Sequence, residues 1–472
     1  MMIANNVTVK IRKGTVQTMI VWFITLLAAN PVSAQTTYSL QQLKDSALSH
    51  NLSMRKARYD IDAAREQRKE AFTKYFPNVT GTGVWFNANK GMAKMDVNPS
   101  EMIPPSLGGT LSMMLPQEAL MELASPVSIS MMKNGTIAGI TAVQPVFAGG
   151  QIVNGNKLAK VGEEVSSLQL ELSENEVVTT VEQYYWQLVA MQEKVRTLNA
   201  VDSLLSSIHR DVDVAVRAGV ALNNDLLQVQ LRQNDVESQH VKLMNGISIV
   251  KMLLAHYCGL ASSRTDDGMA DFNVELPDIG KSHLDLPSLV GGDARLPMLP
   301  EYQLLQKQVE ATDLQHRMTV GKNMPSVAVG AGYNYHNLLE NNHTFGMVFA
   351  TVSIPISDWW GGSHAIKRSK IEHQKAADAL SDNAELLKIR MQKSWNDVNE
   401  SYQQLQIAQR SILQAEENLR LNRNYYKAGT SRMSDLLEAQ LLYQQALDKR
   451  TDAYADYCNK LLAYKVATGQ ER

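Results

Sequence analysis

Arg217-Ala218-Gly219, followed after five residues by Asp225-Leu226-Leu227-Gln228-Val229, returns 210 positions later as Lys427-Ala428-Gly429 and Asp435-Leu436-Leu437-Glu438-Ala439. Each copy lies between two long segments whose apolar residues recur in +3, +4 steps. A glycine between two helices supplies the positive φ that lets one helix end and the next begin. The same turn between the same kind of helices is therefore built twice, and the chain reads as a duplication.

Working outward, the first copy is preceded by a helix from Gly149-Gly150 to about Val216 and followed by one from about Asn224 to Tyr257. Upstream, the steps Leu40, Leu43, Ala47, His50, Met54, Ala57, Ile61, Ala64, Arg68, Ala71, Tyr75 are apolar at nine of eleven places, so one continuous helix is predicted up to Pro77. Val79–Phe86 then reads as a strand and Gly135–Phe147 as its return, separated by about 48 residues rich in Met, Pro, Ser and Gly. The second half repeats this plan. A helix starts near Pro300 and stops at Pro325, strands cover Ser326–Tyr335 and Phe345–Ile356, and Gly361-Gly362 open a helix whose seam from Ala377 to Tyr426 is apolar at twelve of fifteen places. A last helix covers Ser434–Ala467. The expected organisation is a signal peptide at 1–34, a first repeat at 35–260, a linker at 261–296 and a second repeat at 297–472.

The compartment follows from the start of the chain. Lys10, Arg12 and Lys13 precede an apolar run from Met19 to Ala29, and Val32-Ser33-Ala34 offers a small-residue cleavage site. This reads as a secretory signal, too short to span a bilayer as a helix. Its removal takes three cations and no acids from a chain of formal net charge −2, which argues against a nucleic-acid partner. Only Cys258 and Cys458 are present, both in apolar helical stretches, and they read as buried thiols rather than a disulfide framework.

Helices of about 65 residues would be near 100 Å long, beyond any compact core. A soluble coiled-coil rod explains such helices but not two hairpins inserted at matching points. Four strands are too few to close a barrel, and an open sheet edge in lipid leaves unpaired backbone groups costing several kcal/mol each. Three copies supply twelve strands of about the length that crosses an outer membrane.

The strand-to-helix transitions Gln144-Pro145-Val146-Phe147-Ala148-Gly149-Gly150 and Ile354-Pro355-Ile356-Ser357-Asp358-Trp359-Trp360-Gly361-Gly362, the strand starts Phe76-Pro77-Asn78-Val79 and Met324-Pro325-Ser326-Val327, and the two Ala-Gly turns together resemble the TolC family of outer-membrane efflux proteins. The resemblance spans nearly the whole mature chain. It implies a mainly α fold with a membrane β-barrel: a homotrimer forming a 12-stranded barrel in the Gram-negative outer membrane above a periplasmic α-barrel. It implies the passive export duct of a tripartite efflux or type I secretion system, with a periplasmic adaptor and an inner-membrane pump as partners and lipid around the barrel. By the same resemblance, Tyr426, Asp435 and Glu438 fall on positions that close the duct, Asp225 matches the first-half acidic position, and Arg432 lies one residue beyond the family's usual arginine, where Ser431 sits. The tips Arg217-Ala218-Gly219 and Lys427-Ala428-Gly429 are expected to dock the adaptor.

No phosphate loop, nucleophile elbow or zinc spacing appears, so no enzyme, cofactor or metal centre is expected. Soft thioethers bind Cu(I), but the eight Met of the long loop (92, 95, 102, 113, 114, 121, 131 and 132) read first as adaptable apolar packing. Two other classes compete with the duct. A structural or adhesive trimeric coiled coil would not need the paired hairpins. A periplasmic adaptor would need a compact β-rich segment in the middle of the chain, which is missing.

Overall fold

A computed structural model describes residues 37–98, 127–260, 272–279, 284–338 and 342–470, with isolated positions at 101, 116, 118, 121 and 125. The expected signal peptide, most of 99–126 and the linker stretches 261–271 and 280–283 lie outside the described residues. The elements in chain order are β1 (Thr37–Tyr38), α1 (Leu40–His50), α2 (Leu52–Thr73), β2 (Asn78–Asn87), β3 (Ala93–Val97), β4 (Val127–Met131), β5 (Asn134–Ala148), α3 (Gln151–Arg217) and α4 (Asn223–Cys258). They continue with β6 (Asn273–Val274), α5 (Gly292–Arg295), a 3-10 turn (Leu296–Met298), α6 (Pro300–Lys322), β7 (Ser326–His336), β8 (His343–Ser353), α7 (Asp358–Lys427) and α8 (Met433–Ala467).

Four differences from the sequence reading have local causes. The first helix is broken at Asn51, which adopts extended φ/ψ of −61° and 138°. Its buried side chain donates to the Tyr257 carbonyl (3.1 Å) and accepts from the Ser53 N–H (2.8 Å), so a tertiary contact outcompetes helix continuity. Strand β8 stops at Ser353, because Pro355 has no N–H for a ladder. Gly361 and Gly362 lie inside α7, whereas Gly149 and Gly150 precede α3 with φ of +59° and +75°. Finally, the long loop carries β3 and β4, paired antiparallel from Ala93↔Met131 to Val97↔Val127.

The described residues form two compact units. One comprises residues up to Lys56, Glu171–Leu299 and from Lys388 on; the other comprises Ala57–Leu170 and Pro300–Leu387. Each draws on both sequence halves.

The second unit holds an antiparallel sheet of order β2-β5-β7-β8, with a register shift between Pro145 and Phe147. One outer edge of β2 and one of β8 have no strand beside them among the described residues. The registers Val79↔Ala142, Gly81↔Ile140, Ile140↔Tyr333, Ala331↔Val348 and Val329↔Ala350 place these residues on one face. On that face Val79, Ile140, Tyr333 and Val348 are 62, 62, 62 and 86% exposed, an apolar surface that no other described residue covers. The helix ends beneath the sheet pack closely. A Cβ on Gly149 would lie 2.1 Å from the Gly321 carbonyl oxygen, and one on Gly321 would lie 2.1 Å from that of Gly149. Trp359 Nε1 donates to the Asn323 carbonyl at 3.0 Å.

In the first unit, side-chain donors fasten the described parts of the linker. Tyr185, Tyr457 and Tyr464 donate their hydroxyls to the carbonyls of Glu275 (2.6 Å), Asp285 (2.7 Å) and Ser288 (2.9 Å), and Trp395 Nε1 donates to Pro287 (3.2 Å). Strand β6 also pairs parallel with β1. Cys258 and Cys458 are free and buried, and burial pushes both thiols up to about 12. Among the described residues, no helix is long and apolar enough to cross a membrane.

Candidate functional site

Both Ala-Gly turns close by the same bonds. In the first, Gly219 (φ +73°) donates to Val216 and Val220 donates to Ala215, at 3.0 and 2.9 Å. In the second, Gly429 (φ +72°) donates to Tyr426 and Thr430 to Tyr425, again at 3.0 and 2.9 Å. This is the Schellman arrangement, in which the residue after the glycine returns to the carbonyl one turn back. A Cβ at either glycine would meet nothing within 4 Å, so only backbone conformation demands glycine there.

The two turns lie side by side in the first unit. Ile208 and Val212 of α3, Val229 of α4, Leu419 of α7 and Met433, Leu436 and Ala439 of α8 form one buried cluster. Leu436, the middle residue of the second Asp-Leu-Leu motif, is thus inside the cluster, and its counterpart Leu226 packs against it, as do Leu437 and Tyr426. Burying a side chain such as Leu436 contributes about 2 kcal/mol, so the duplicated leucines fasten one tip to the other. The turns themselves stay exposed: Arg217, Ala218, Gly219, Lys427, Ala428 and Gly429 all face solvent, and Val220 and Leu222 are 80 and 70% exposed.

Charges link the tips only loosely. Arg217 pairs with Asp213 of its own helix at 2.7 Å, and Lys427 reaches Asp211 across the two halves at 3.9 Å. Tyr426 is half-buried; burial, and then the negative charge of Asp225, push its hydroxyl above the ordinary tyrosine value. Asp225 and Tyr426, from different halves, are thus brought within electrostatic reach. Asp435 is committed locally. Its carboxylate accepts from the Arg432 N–H (3.1 Å), Ser431 Oγ (3.0 Å) and Ser434 Oγ (3.3 Å), capping the start of α8. The Arg432 backbone bond, followed by the Ser431 hydroxyl, holds its carboxyl below the usual aspartate range. Glu438, one turn on, is exposed and makes no ion pair among the described residues.

One group near the tips escaped the sequence reading. Arg232 of α4 donates to Gln440 Oε1 (3.0 Å) and Gln444 Oε1 (2.6 Å) of α8, and Gln444 donates to Gln239 (3.0 Å). Burial lowers the guanidinium pKa, while Asp235 opposes the shift. Gln440 and Gln444 are 0 and 3% exposed, and Gln440 Nε2 has no hydrogen-bond partner among the described residues. The signal was present in the spacing. Arg232 falls between Val229 and Val236, and Gln440 and Gln444 follow Leu436, on the seams of their helices.

Among the described residues no group of three or more His, Cys, Asp or Glu could hold a metal ion. What the site offers is an exposed pair of turns, closed by the same bonds, on a shared apolar base. The family model described as Outer membrane efflux protein matches residues 43–249 and 300–470. The chain belongs to this family. It is therefore an efflux protein of the Gram-negative outer membrane, with its strands in the bilayer and its helices in the periplasm. Solved channels share the fold. The outer-membrane channel OprN is 16% identical with a TM-score of 0.71, over 91% of this chain and 90% of that one. The Campylobacter jejuni CmeC outer membrane channel is 15% identical, TM-score 0.72, over 92 and 87%. CusC is 14% identical, TM-score 0.73, over 92% of each. No curated protein matches the chain.

Proposed function

We propose that this efflux protein is the passive exit duct of a tripartite pump or type I secretion system, working as a homotrimer. The observation that carries the reading is the four-stranded sheet with two unpaired outer edges and an exposed apolar face. In hydrocarbon such a sheet is stable only when its edges meet, and three copies close at twelve strands. The helices of the three copies would then continue the lumen through the periplasm.

The exposed turns Arg217-Ala218-Gly219 and Lys427-Ala428-Gly429 are the docking points for the periplasmic adaptor, which connects the duct to the inner-membrane pump. Val220 and Leu222 supply apolar contact beside the first turn. Asp225, Tyr426, Arg432, Asp435 and Glu438 control the opening. Asp435 does so by fixing the start of α8, and Glu438 by presenting an uncommitted carboxylate. Threefold symmetry would gather the Glu438 carboxylates into a ring that favours cations.

Single-channel recording on the purified protein in planar bilayers tests both parts. The expected result is a cation-selective pore, blocked by divalent cations, whose selectivity falls in Glu438→Ala. Absence of any conductance would reject the duct. Unchanged selectivity and block in both Glu438→Ala and Asp435→Ala would remove these carboxylates from the constriction.

A further inference from the structure

Just beneath the sheet, α2 and α3 enclose an open cleft of about 690 Å³. Its charged lining is Arg65, Arg68, Lys69, Lys157 and Lys160 against the single acid Glu163. Glu163 is already shared by Arg65 (3.5 Å) and Arg68 (2.9 Å), so it neutralises little of this charge. Lys69 and Lys160 make only exposed pairs along their own helices, at 2.7 and 3.6 Å, and Lys157 makes none among the described residues.

The rest of the lining is apolar and aromatic. Phe72 and Tyr75 stand at the sheet end of the cleft, 55 and 39% exposed, with Val153 opposite at 46%. Phe72 stacks edge-on with both Tyr75 and Phe76 at 5.6 Å between centroids. Phe76 is one residue before Pro77, where the chain turns into β2. Aromatic rings at the end of a membrane strand mark the boundary between hydrocarbon and headgroups. Helical side chains lean toward their helix N-terminus. Since α3 starts at this boundary, its Lys157 and Lys160 lean toward the bilayer, with stems along apolar surface and ammonium groups free to reach upward.

The second half repeats the arrangement. Trp359 and Trp360 (46 and 85% exposed) start α7, and Lys367, Arg368 and Lys370 follow two to three turns on. Exposed aromatics beside a run of basic groups thus occur twice in one unit.

We propose that the cleft between α2 and α3 binds the headgroup of an anionic phospholipid from the periplasmic leaflet. The phosphate sits among Lys69, Lys157 and Lys160, and the upper acyl chain lies against Phe72, Tyr75 and Val153. The proposal rests on the outer-membrane placement of the strands. Each basic group near such a surface contributes about 1 kcal/mol, or about fivefold in affinity.

The test titrates detergent-solubilised trimer with phosphatidylglycerol and, separately, phosphatidylethanolamine, counting bound lipid by native mass spectrometry. Wild type should bind phosphatidylglycerol more tightly. Lys157→Gln/Lys160→Gln should weaken that binding about fivefold for each lysine and leave phosphatidylethanolamine unchanged. Lys375→Gln, outside the cleft, should change neither. Equal affinity for both lipids in wild type, or an undiminished preference in the double variant, overturns the assignment. Competition by inorganic phosphate as strong as by lipid overturns it too, since the site would then hold a free anion. Conductance recorded on the same preparations separates the readings. A conducting channel without lipid preference sinks only this proposal, whereas a non-conducting one sinks the duct.

Discussion

Gly429 and Gly219 sit in left-handed backbone with open space where a Cβ would go. For other residues that conformation costs about 1–2 kcal/mol, and here no clash adds to it. The loss is small beside the apolar cluster that joins the tips, so the helices should hold while the turn loosens. Gly429→Ala is expected to lower stability by about 1 kcal/mol and Gly429→Val by more, because a branched Cβ tolerates positive φ least. Trimer abundance on immunoblots should stay normal for Gly429→Val and Gly219→Val while drug resistance is lost. Full resistance in both would show that the turns do not engage the adaptor. Asp435 carries a pH dependence of known sign. Its carboxyl pKa is lowered in the folded chain, so the cap is present above the ordinary aspartate range and is lost as pH falls through the lowered value. The protection factor of the Arg432 amide should fall only below the ordinary aspartate value of about 4, and Asp435→Ala should leave that amide unprotected at every pH. Protection in wild type that does not change with acid would mean that the carboxylate does not hold this amide in solution.

At the scale of elements, the contact between the start of α3 and the end of α6 admits no side chain in either direction. Gly321→Ala would put a methyl 2.1 Å from the Gly149 carbonyl oxygen, against backbone that cannot rotate away. Overpacking of this kind costs about 1–3 kcal/mol or more, at the place where strand gives way to helix. Gly361 is the control, since its Cβ would meet nothing within 4 Å. Folded trimer in membrane fractions should drop sharply for Gly321→Ala and stay near wild type for Gly361→Ala. Equal yields would show that the two elements separate in the assembled protein. The two strand-to-helix transitions thus look alike in sequence but differ in construction. One needs its glycines ahead of the helix; the other carries Gly361 and Gly362 inside it.

For the whole molecule, the open sheet decides the assembly. Unpaired backbone groups cost several kcal/mol each in lipid, and the outer edges of β2 and β8 present strands of 10 and 11 residues. Among the described residues no further strand covers either edge. The purified protein should run as a trimer in mild detergent and as a monomer after heating in dodecyl sulfate. A monodisperse monomer that keeps its strand signal in mild detergent would refute the shared barrel.

What the sequence determined by itself was everything set by local periodicity and backbone chemistry. The +3, +4 seams specified the long helices, Gly219 and Gly429 their turns, and the proline-bounded hairpins their places, because each follows from the residues within one or two turns. The candidate tips were legible for the same reason, and so was the duplication. The tertiary structure decided what depends on distant partners. Asn51 breaks an apolar seam only because the Tyr257 carbonyl waits for it. The linker is held by hydroxyls from Tyr185, Tyr457 and Tyr464, more than 80 residues away in each case. Asp435 and Glu438 look equivalent as two acids one turn apart; folding spends one on the helix cap and leaves the other free. Arg232 joins Gln440 and Gln444 across 208 and 212 residues; seam spacing marks each of the three, but only the fold pairs them.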